Sequence, residues 1–253
     1  MGDVYGGAAV DQVALENIGA LADYRPANEE FVDEDFLMDG PYAATGYLSY
    51  HPAYNTNLVS QEDLPDEWMG YCDPKWDGRL AIDQEGAEWV AGIIEGMGEE
   101  DGLAFLQCLA ANNPRLVRGS TNRTELLAAG EFAVQLDGYG HRIKQFEEEG
   151  APIKAQVPSP SPLPVVLDMS SVFEDAPHPN AARLLQEFFL TPAGQEVFLV
   201  QGKPGVALGA EDPYPGYFED AELQVLGPGD ADFEDAFIIF TDIFLSGGGA
   251  PAP

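Results

Sequence analysis

The sequence is poor in cysteine, histidine and positive charge, and it has no long apolar run. Its two cysteines, Cys72 and Cys108, stand far apart and in no CxxC-type spacing, which excludes a structural zinc site. One disulfide between them and two separate thiols both remain open, buried thiols being the commoner fate of distant, unpatterned cysteines. Its three histidines are scattered, and no HExxH, GxSxG, Walker-type phosphate loop or GxGxxG occurs, so no catalytic motif supports an enzyme. With 44 acidic residues, adjacent carboxylates arise by composition alone, and a glycosidase has no specific support. Only 11 Lys and Arg oppose those acids, giving a formal charge of -33. Such a field repels polyanions, and no basic stripe interrupts it, so nucleic acid and anionic membrane surfaces are excluded as partners. No stretch of about 18 apolar residues is present, so direct membrane insertion is not expected. The opening MGDVYGGAAVDQVALENIGAL has neither a basic n-region nor an apolar h-region, and reads as a chain without its secretory signal.

What is present is enough to fold. The 253 residues are 45% hydrophobic and 11% aromatic, ordinary values that argue against disorder. The length suits one large or two small domains. Acids are spread along the chain instead of forming a tail, which favours a surface adapted to high salt; an acidic secreted mesophile is the plainer alternative.

Strand and helix signals alternate. Apolar residues at helical spacing mark Val10–Ala22, and an acidic loop follows to Gly40. YAATGYLSYHPAY, residues 42–54, has extended character, and Pro52 within it suits an edge or crossing strand. DPKWDG turns into a strand at 79–83, and two helices carry Trp89, Val90 and Ile93, then Leu103, Leu106 and Leu109. LVRGSTN reads as a strand that turns at Gly119 into a helix capped by Ser120 or Thr121 and ended by Gly130. A strand at 132–136 then meets Asp137-Gly-Tyr-Gly-His and another helix. Later, Ala181, Leu184, Leu185, Phe188 and Phe189 are expected on one buried helix face, and Thr191-Pro192 starts a further helix. The tail from 246 to 253 is Gly, Ala and Pro biased and is expected to be flexible. Repeated strand–helix units imply an α/β fold with a largely parallel sheet, whose ligands bind beyond the carboxyl ends of its strands.

Seven phrases in order carry a family resemblance: YNTNLV from Tyr54, LPD from Leu64, DPKWDGRLAID from Asp73, AANNPR from Ala110, ELLAAGE from Glu125, APHPNAA from Ala176 and LTPAGQ from Leu190. Together they resemble the type 2 periplasmic solute-binding proteins of ABC importers, in the group that includes ferric-iron-binding proteins. The resemblance implies two α/β lobes joined by a two-strand hinge at Tyr42–Tyr54 and Leu163–Met169, closing on a solute. One lobe would combine residues 1–55 and 163–245, the other 56–162. Against the family pattern the chain starts about where the second strand has already ended, so the first lobe is expected to be incomplete. The resemblance also implies a periplasmic or extracellular location, lipid anchoring through an N-terminal segment, an ABC permease as partner, and a small anion, metal or organic solute as cargo, ferric iron among them. A degenerate fold reused as a structural or surface interaction protein is the alternative.

The candidate ligand residues follow from the strand ends. Gly119, Ser120 and Thr121 offer helix-start N–H groups and hydroxyls suited to an anion, or merely cap their helix. Arg118 can grip an anionic solute or sit in a surface ion pair. Ser49 and His51 share one face of the proposed crossing strand. Ferric-binding relatives place two adjacent tyrosines where this chain has Gly138 and Tyr139. One phenol therefore survives between Asp137 and His141; Asp137 and Tyr139 are candidate ligand residues, and with His141 they form a mixed oxygen and nitrogen metal site, Tyr139 and His141 its metal pair, if the turn bends sharply. Tyr139 touching an organic solute, or simply packing, are the other readings.

Overall fold

A computed structural model describes residues 2–246 other than 210, 212, 219, 230 and 231. β1 (Val4–Ala8) runs straight into α1 (Ala9–Asn17). That helix stops short of the expected Ala22 because Gly19 turns the chain with φ 66°. Two 3-10 turns, Ala27–Phe31 and Glu34–Phe36, fill the acidic stretch before β2 (Tyr42–Asn55). Three more, at Gln61–Asp63, Trp68–Cys72 and Pro74–Trp76, lead to β3 (Leu80–Asp83). Then come α2 (Ala87–Met97), α3 (Glu99–Ala111), β4 (Arg115–Val117), α4 (Ser120–Ala128), β5 (Val134–Tyr139), α5 (Gly140–Glu148), β6 (Ile153–Ala155) and β7 (Leu163–Val172). α6 (Pro179–Phe189), α7 (Pro192–Val200), β8 (Leu223–Leu226), α8 (Phe233–Phe240) and a π-turn at Thr241–Leu245 follow. Thr191 caps α7 by accepting from the Gly194 N–H at 3.1 Å, and Pro192 occupies the first turn, where no N–H is needed. Residues 247–253, most of the expected tail, lie outside the described residues.

The chain divides into two units. The first combines Met1–Leu48, Val165–Pro213 and Val225–Ala231, and the second Ser49–Pro164, Tyr214–Gln224 and Asp232–Pro253. The unit boundaries fall inside β2, β7 and β8. In the first unit β1 lies antiparallel to β7, from Val4 opposite Val172 to Ala8 opposite Asp168. Leu21, Val32, Tyr42, Leu167, Met169 and Leu190 form its core. In the second unit β3 is parallel to β4 and β5, while β2 is antiparallel to β5 and β6. Trp89 packs edge to face on Trp68 and Phe105, and Trp68 meets Phe105 at a tilt, with centroids 5.8–6.2 Å apart and each ring buried. Truncating such a ring costs about 3–5 kcal/mol.

Three features differ from expectation. Residues 214–224 and those from 232 onward fold with the second unit instead of the first. Tyr214 and Tyr217 are buried with Leu127 and Ile143, and α8 packs on α2 with Phe240 buried. Cys72 and Cys108 form a disulfide across a Cα separation of 5.4 Å, because packing of Trp68 on Phe105 sets the 3-10 turn against α3. Finally, α6 turns its apolar face outward, leaving Leu184 71% exposed, while Ala182 and Gln186 are buried. Polar bonds set its roll: Gln186 Nε2 donates to the Ser170 carbonyl, and Glu187 accepts from the Tyr24 hydroxyl and the Ala27 and Asn28 N–H groups. Among the described residues no helix is long and apolar enough to cross a membrane.

Candidate functional site

The parallel strands β3, β4 and β5 bring their carboxyl ends together in the second unit, with Asp83 in register with Val117. One side chain ties all three ends. Arg123, on α4 and 1% exposed, donates through Nη1 to Asp83 Oδ2 at 2.5 Å and to the Val117 carbonyl at 3.2 Å. Its Nη2 donates to the Asp137 carbonyl at 2.9 Å, and its Nε lies 3.2 Å from Asp137 Oδ1. Asp137 Oδ2 also accepts the Asp83 N–H at 2.7 Å. Burial pushes the Asp137 carboxyl up from its usual range, against the pull of the Arg123 guanidinium. Asp137, read from the sequence as a ligand residue, thus has its carboxylate committed to holding strand ends.

β5 runs on through Tyr139 instead of stopping at Leu136, because β2 pairs with it to the end: Tyr50 lies opposite Tyr139 and His51 opposite Gly138. The Tyr50 and Tyr139 rings meet at 5.2 Å, and the His141 ring stacks on Tyr139 at 5.7 Å with 14° between planes. Tyr50 donates its hydroxyl to Glu88 Oε2, on the first turn of α2, at 2.8 Å. Burial pushes the Tyr139 phenol up to about 12 and raises Tyr50 as well, with the Glu88 carboxylate adding to the second shift. Both phenols are therefore neutral at pH 7, donors unless a strong Lewis acid displaces the proton. The position before Tyr139 is tight. A side chain at Gly138 would collide with the Gln135 amide and approach Ile143 Cδ1 to 2.9 Å.

Beside this ring stack α4 begins. Gly119, with φ 86°, is its first flanking residue, and no side chain caps it, so Ser120 and Thr121 do not play the capping role the sequence suggested. The Ser120 hydroxyl is buried without a hydrogen-bond partner, while Thr121 is exposed. Arg118 pairs with Glu85 at 3.1 Å, both well exposed. Ser49 and His51 share a face as expected, but they point into a different, closed environment. His51 Nε2 lies 3.0 Å from Ser49 Oγ and its Nδ1 3.2 Å from Ser159 Oγ, with Tyr217 and Phe218 rings 5.3–5.4 Å away. Both residues are buried and their polar atoms serve each other. Tyr139 and His141 thus stack just beyond Asp137, α4 is tied to Asp137 through Arg123, and Ser49 and His51 lie against Gly140, the residue between the two stacked rings in sequence. Among the described residues no cluster of three or more His, Cys, Asp or Glu is placed to hold a metal, so a metal here would need the phenols.

Tyr50, Glu88, Asp83 and Arg123 belong to this region and were not singled out in the sequence. Tyr50 had a signal, since it flanks Ser49 and His51 on the opposite strand face, but its pairing with Tyr139 depends on register. Arg123 carries no sequence signal, and only three-dimensional convergence shows it as a tie.

No protein-family model matches the chain, and no curated protein matches it in sequence. Solved structures do match. The iron-bound HitA of Pseudomonas aeruginosa has a TM-score of 0.83 at 22% identity, over 96% of this chain and 83% of that one. The periplasmic binding protein AfuA of Actinobacillus pleuropneumoniae, solved with fructose-6-phosphate, gives 0.78 at 22% identity, over 96% and 83%. A substrate-binding protein of an ABC transporter from Agrobacterium tumefaciens gives 0.79 at 16%, over 96% and 79%. At these identities the likeness speaks to architecture, and the chain has the fold of the periplasmic binding proteins.

Proposed function

We propose that this chain is the extracytoplasmic solute-binding component of an ATP-driven importer, delivering a small solute to a membrane permease. The observation that carries the reading is the fold match over 96% of the chain to proteins solved with iron, with a sugar phosphate and as an ABC-transporter substrate-binding protein. The convergent strand ends of the second unit support it, because ligands of such sheets gather there. On this reading the solute meets Tyr139, His141, Thr121 and the free N–H groups at the start of α4. Arg123 and Asp137 hold the platform under it. Ferric iron is one cargo these groups suit, through phenolate donors; an anionic solute on the α4 start is the other. The Cys72–Cys108 disulfide supports residence in an oxidising compartment, periplasmic or extracellular.

Thermal unfolding of the purified chain at high salt tests this, with ferric citrate, phosphate, fructose 6-phosphate, dicarboxylates, polyamines and neutral sugars added singly. A ligand at 100 times its dissociation constant adds about 2.7 kcal/mol, a rise of about 5–10 °C for a chain of this size. If ferric iron is the cargo, a visible phenolate-to-iron band accompanies the rise and Tyr139→Phe removes it. A cooperatively folding sample that shifts with none of these ligands refutes the proposal.

A further inference from the structure

The first unit carries a groove, of about 380 Å³, that the solute reading does not use. One wall is the face of α7 bearing Glu196 and Leu199, and the other is the chain around Gly205–Gly209 with Leu208 and Glu211. Its shape is built, because Gln195, 6% exposed, makes four hydrogen bonds at its base. Gln195 Nε2 donates to the Thr45 and Phe189 carbonyls, and its Oε1 accepts from the Val206 and Ala207 N–H groups. A buried glutamine satisfied in this way fixes the distance between helix and facing chain.

The lining is apolar at Leu199 and Leu208 and anionic at Glu196 and Glu211, and Leu208 is 61% exposed. Val200, 82% exposed, continues the apolar surface on the same side of α7, four residues after Glu196. The basic residues of this unit are Arg25, Arg183 and Lys203, and each is engaged elsewhere. Arg25 binds Glu29, Arg183 lies over the Tyr24 ring, and Lys203 holds Asp168 at 2.6 Å. Among the described residues of the unit, no Arg or Lys therefore offsets Glu196 and Glu211.

We propose that this groove is a docking site for a basic segment of a protein partner, one that sets an arginine or lysine beside an aliphatic or aromatic side chain. The cation would meet Glu196 and Glu211 while its apolar neighbour covers Leu199, Leu208 and Val200. Charge complementarity selects this occupant: a second copy of a chain of charge -33 would bring like charge to like, whereas a basic segment gains at every approach. The apolar lining distinguishes it from loose attraction to an acidic body, because it rewards an anchor that excludes water. The groove lies wholly in the first unit, so the inference stands apart from the solute reading.

The test uses the full chain and two fluorescein-labelled peptides, an amphipathic helix of leucine and arginine and the same sequence with serine for leucine. Fluorescence anisotropy at physiological salt, where the Debye length is about 8 Å, removes long-range attraction. The leucine–arginine peptide is expected to bind, and the serine peptide to bind at least about tenfold more weakly. Glu196→Gln with Glu211→Gln, or Leu208→Ser alone, weakens the first peptide by about tenfold. Glu99→Gln with Glu100→Gln, which removes the same charge from the start of α3, leaves it within about twofold. All these positions are exposed, so the variants should fold. Equal binding of the two peptides, equal loss in the α3 variant, or no binding of either overturns the proposal.

Discussion

His51 offers a test in which the structure supplies both sign and size. The imidazole is fully buried, and burial lowers its pKa to about 3. Its neighbours fix one neutral form. Ser159 donates its hydroxyl to the Gln156 carbonyl at 3.0 Å, so its lone pairs face His51 Nδ1, which must carry the proton. Nε2 is then the acceptor, taking the Ser49 hydroxyl proton, and the Tyr214 hydroxyl turns to Ser49 at 3.3 Å. The groups surrounding the ring are Tyr214, Tyr217, Phe218 and the two serines, none of them a carboxylate. A second proton on the ring would break the Ser49 bond and leave a cation in an aromatic pocket.

As pH falls, the unfolded chain takes that proton near 6.5 while the folded chain resists it to about 3. Stability is therefore complete above 6.5 and is lost progressively below it. At pH 5 the loss is about 1.5 units of linkage, or about 2 kcal/mol. The assay is guanidinium unfolding at pH 8, 7, 6 and 5, a denaturant that also screens the chain's charge. The partner measurement is His51→Gln, because carboxylate titration and relief of self-repulsion act on both proteins and cancel in the difference. The wild type should lose about 2 kcal/mol more than the variant between pH 8 and pH 5. Parallel curves for the two proteins would show that this buried ring does not control the acid response, and would refute the reasoning.

Three further outcomes follow from the same structure. Reducing the Cys72–Cys108 bond, which closes a loop with a sequence separation of 36, should cost about 4 kcal/mol, read as a drop in denaturant midpoint with reductant that the Cys72→Ala, Cys108→Ala double variant no longer shows. Arg123→Met should cost about 3–5 kcal/mol, because it strands the Asp83 and Asp137 carboxylates it now neutralises, and restoring an apolar balance with Asp137→Leu in the same chain should recover part of that loss. Tyr139→Phe should weaken whichever solute raises the unfolding temperature by about tenfold while changing the unliganded midpoint little, as judged by titration calorimetry beside thermal unfolding.

Much of the architecture was legible because it is written in local chemistry. Gly119 and Gly130 adopt positive φ and begin and end α4, as glycine at those points leads one to expect. Thr191-Pro192 starts α7, and the aromatic run from Tyr42 is one long strand. The failures are of another kind. The roll of α6 is set by Gln186 and Glu187 bonding to distant chain segments, information that helical periodicity does not hold. The disulfide depends on where the 3-10 turn lands against α3. The fate of residues 214–224 depends on Tyr214 and Tyr217 finding the second unit's core. At the site, Tyr139 and the 119–121 turn stand out in the sequence, whereas the tie from Arg123 to Asp83 and Asp137 does not, since a buried ion pair between two elements has no linear signature.

The register between β2 and β5 explains why the site looks as it does. His51 lies opposite Gly138, yet Ala53 lies opposite Gln135, so Pro52 faces two residues of β5, Leu136 and Asp137. A proline cannot donate to a strand ladder, and a bulge in the facing strand at that point is the arrangement that wastes least. The extra residue changes which way β5 presents its side chains beyond it, since side-chain direction alternates along a strand. Before the bulge Val134 is core, as is Leu136 within it; Asp137, the other bulge residue, reaches Asp83 and Arg123, and beyond it Tyr139 comes beside Tyr50. Tyr50 and Tyr139 therefore come from neighbouring strands, and a side chain at Gly138 would press on Gln135 and Ile143.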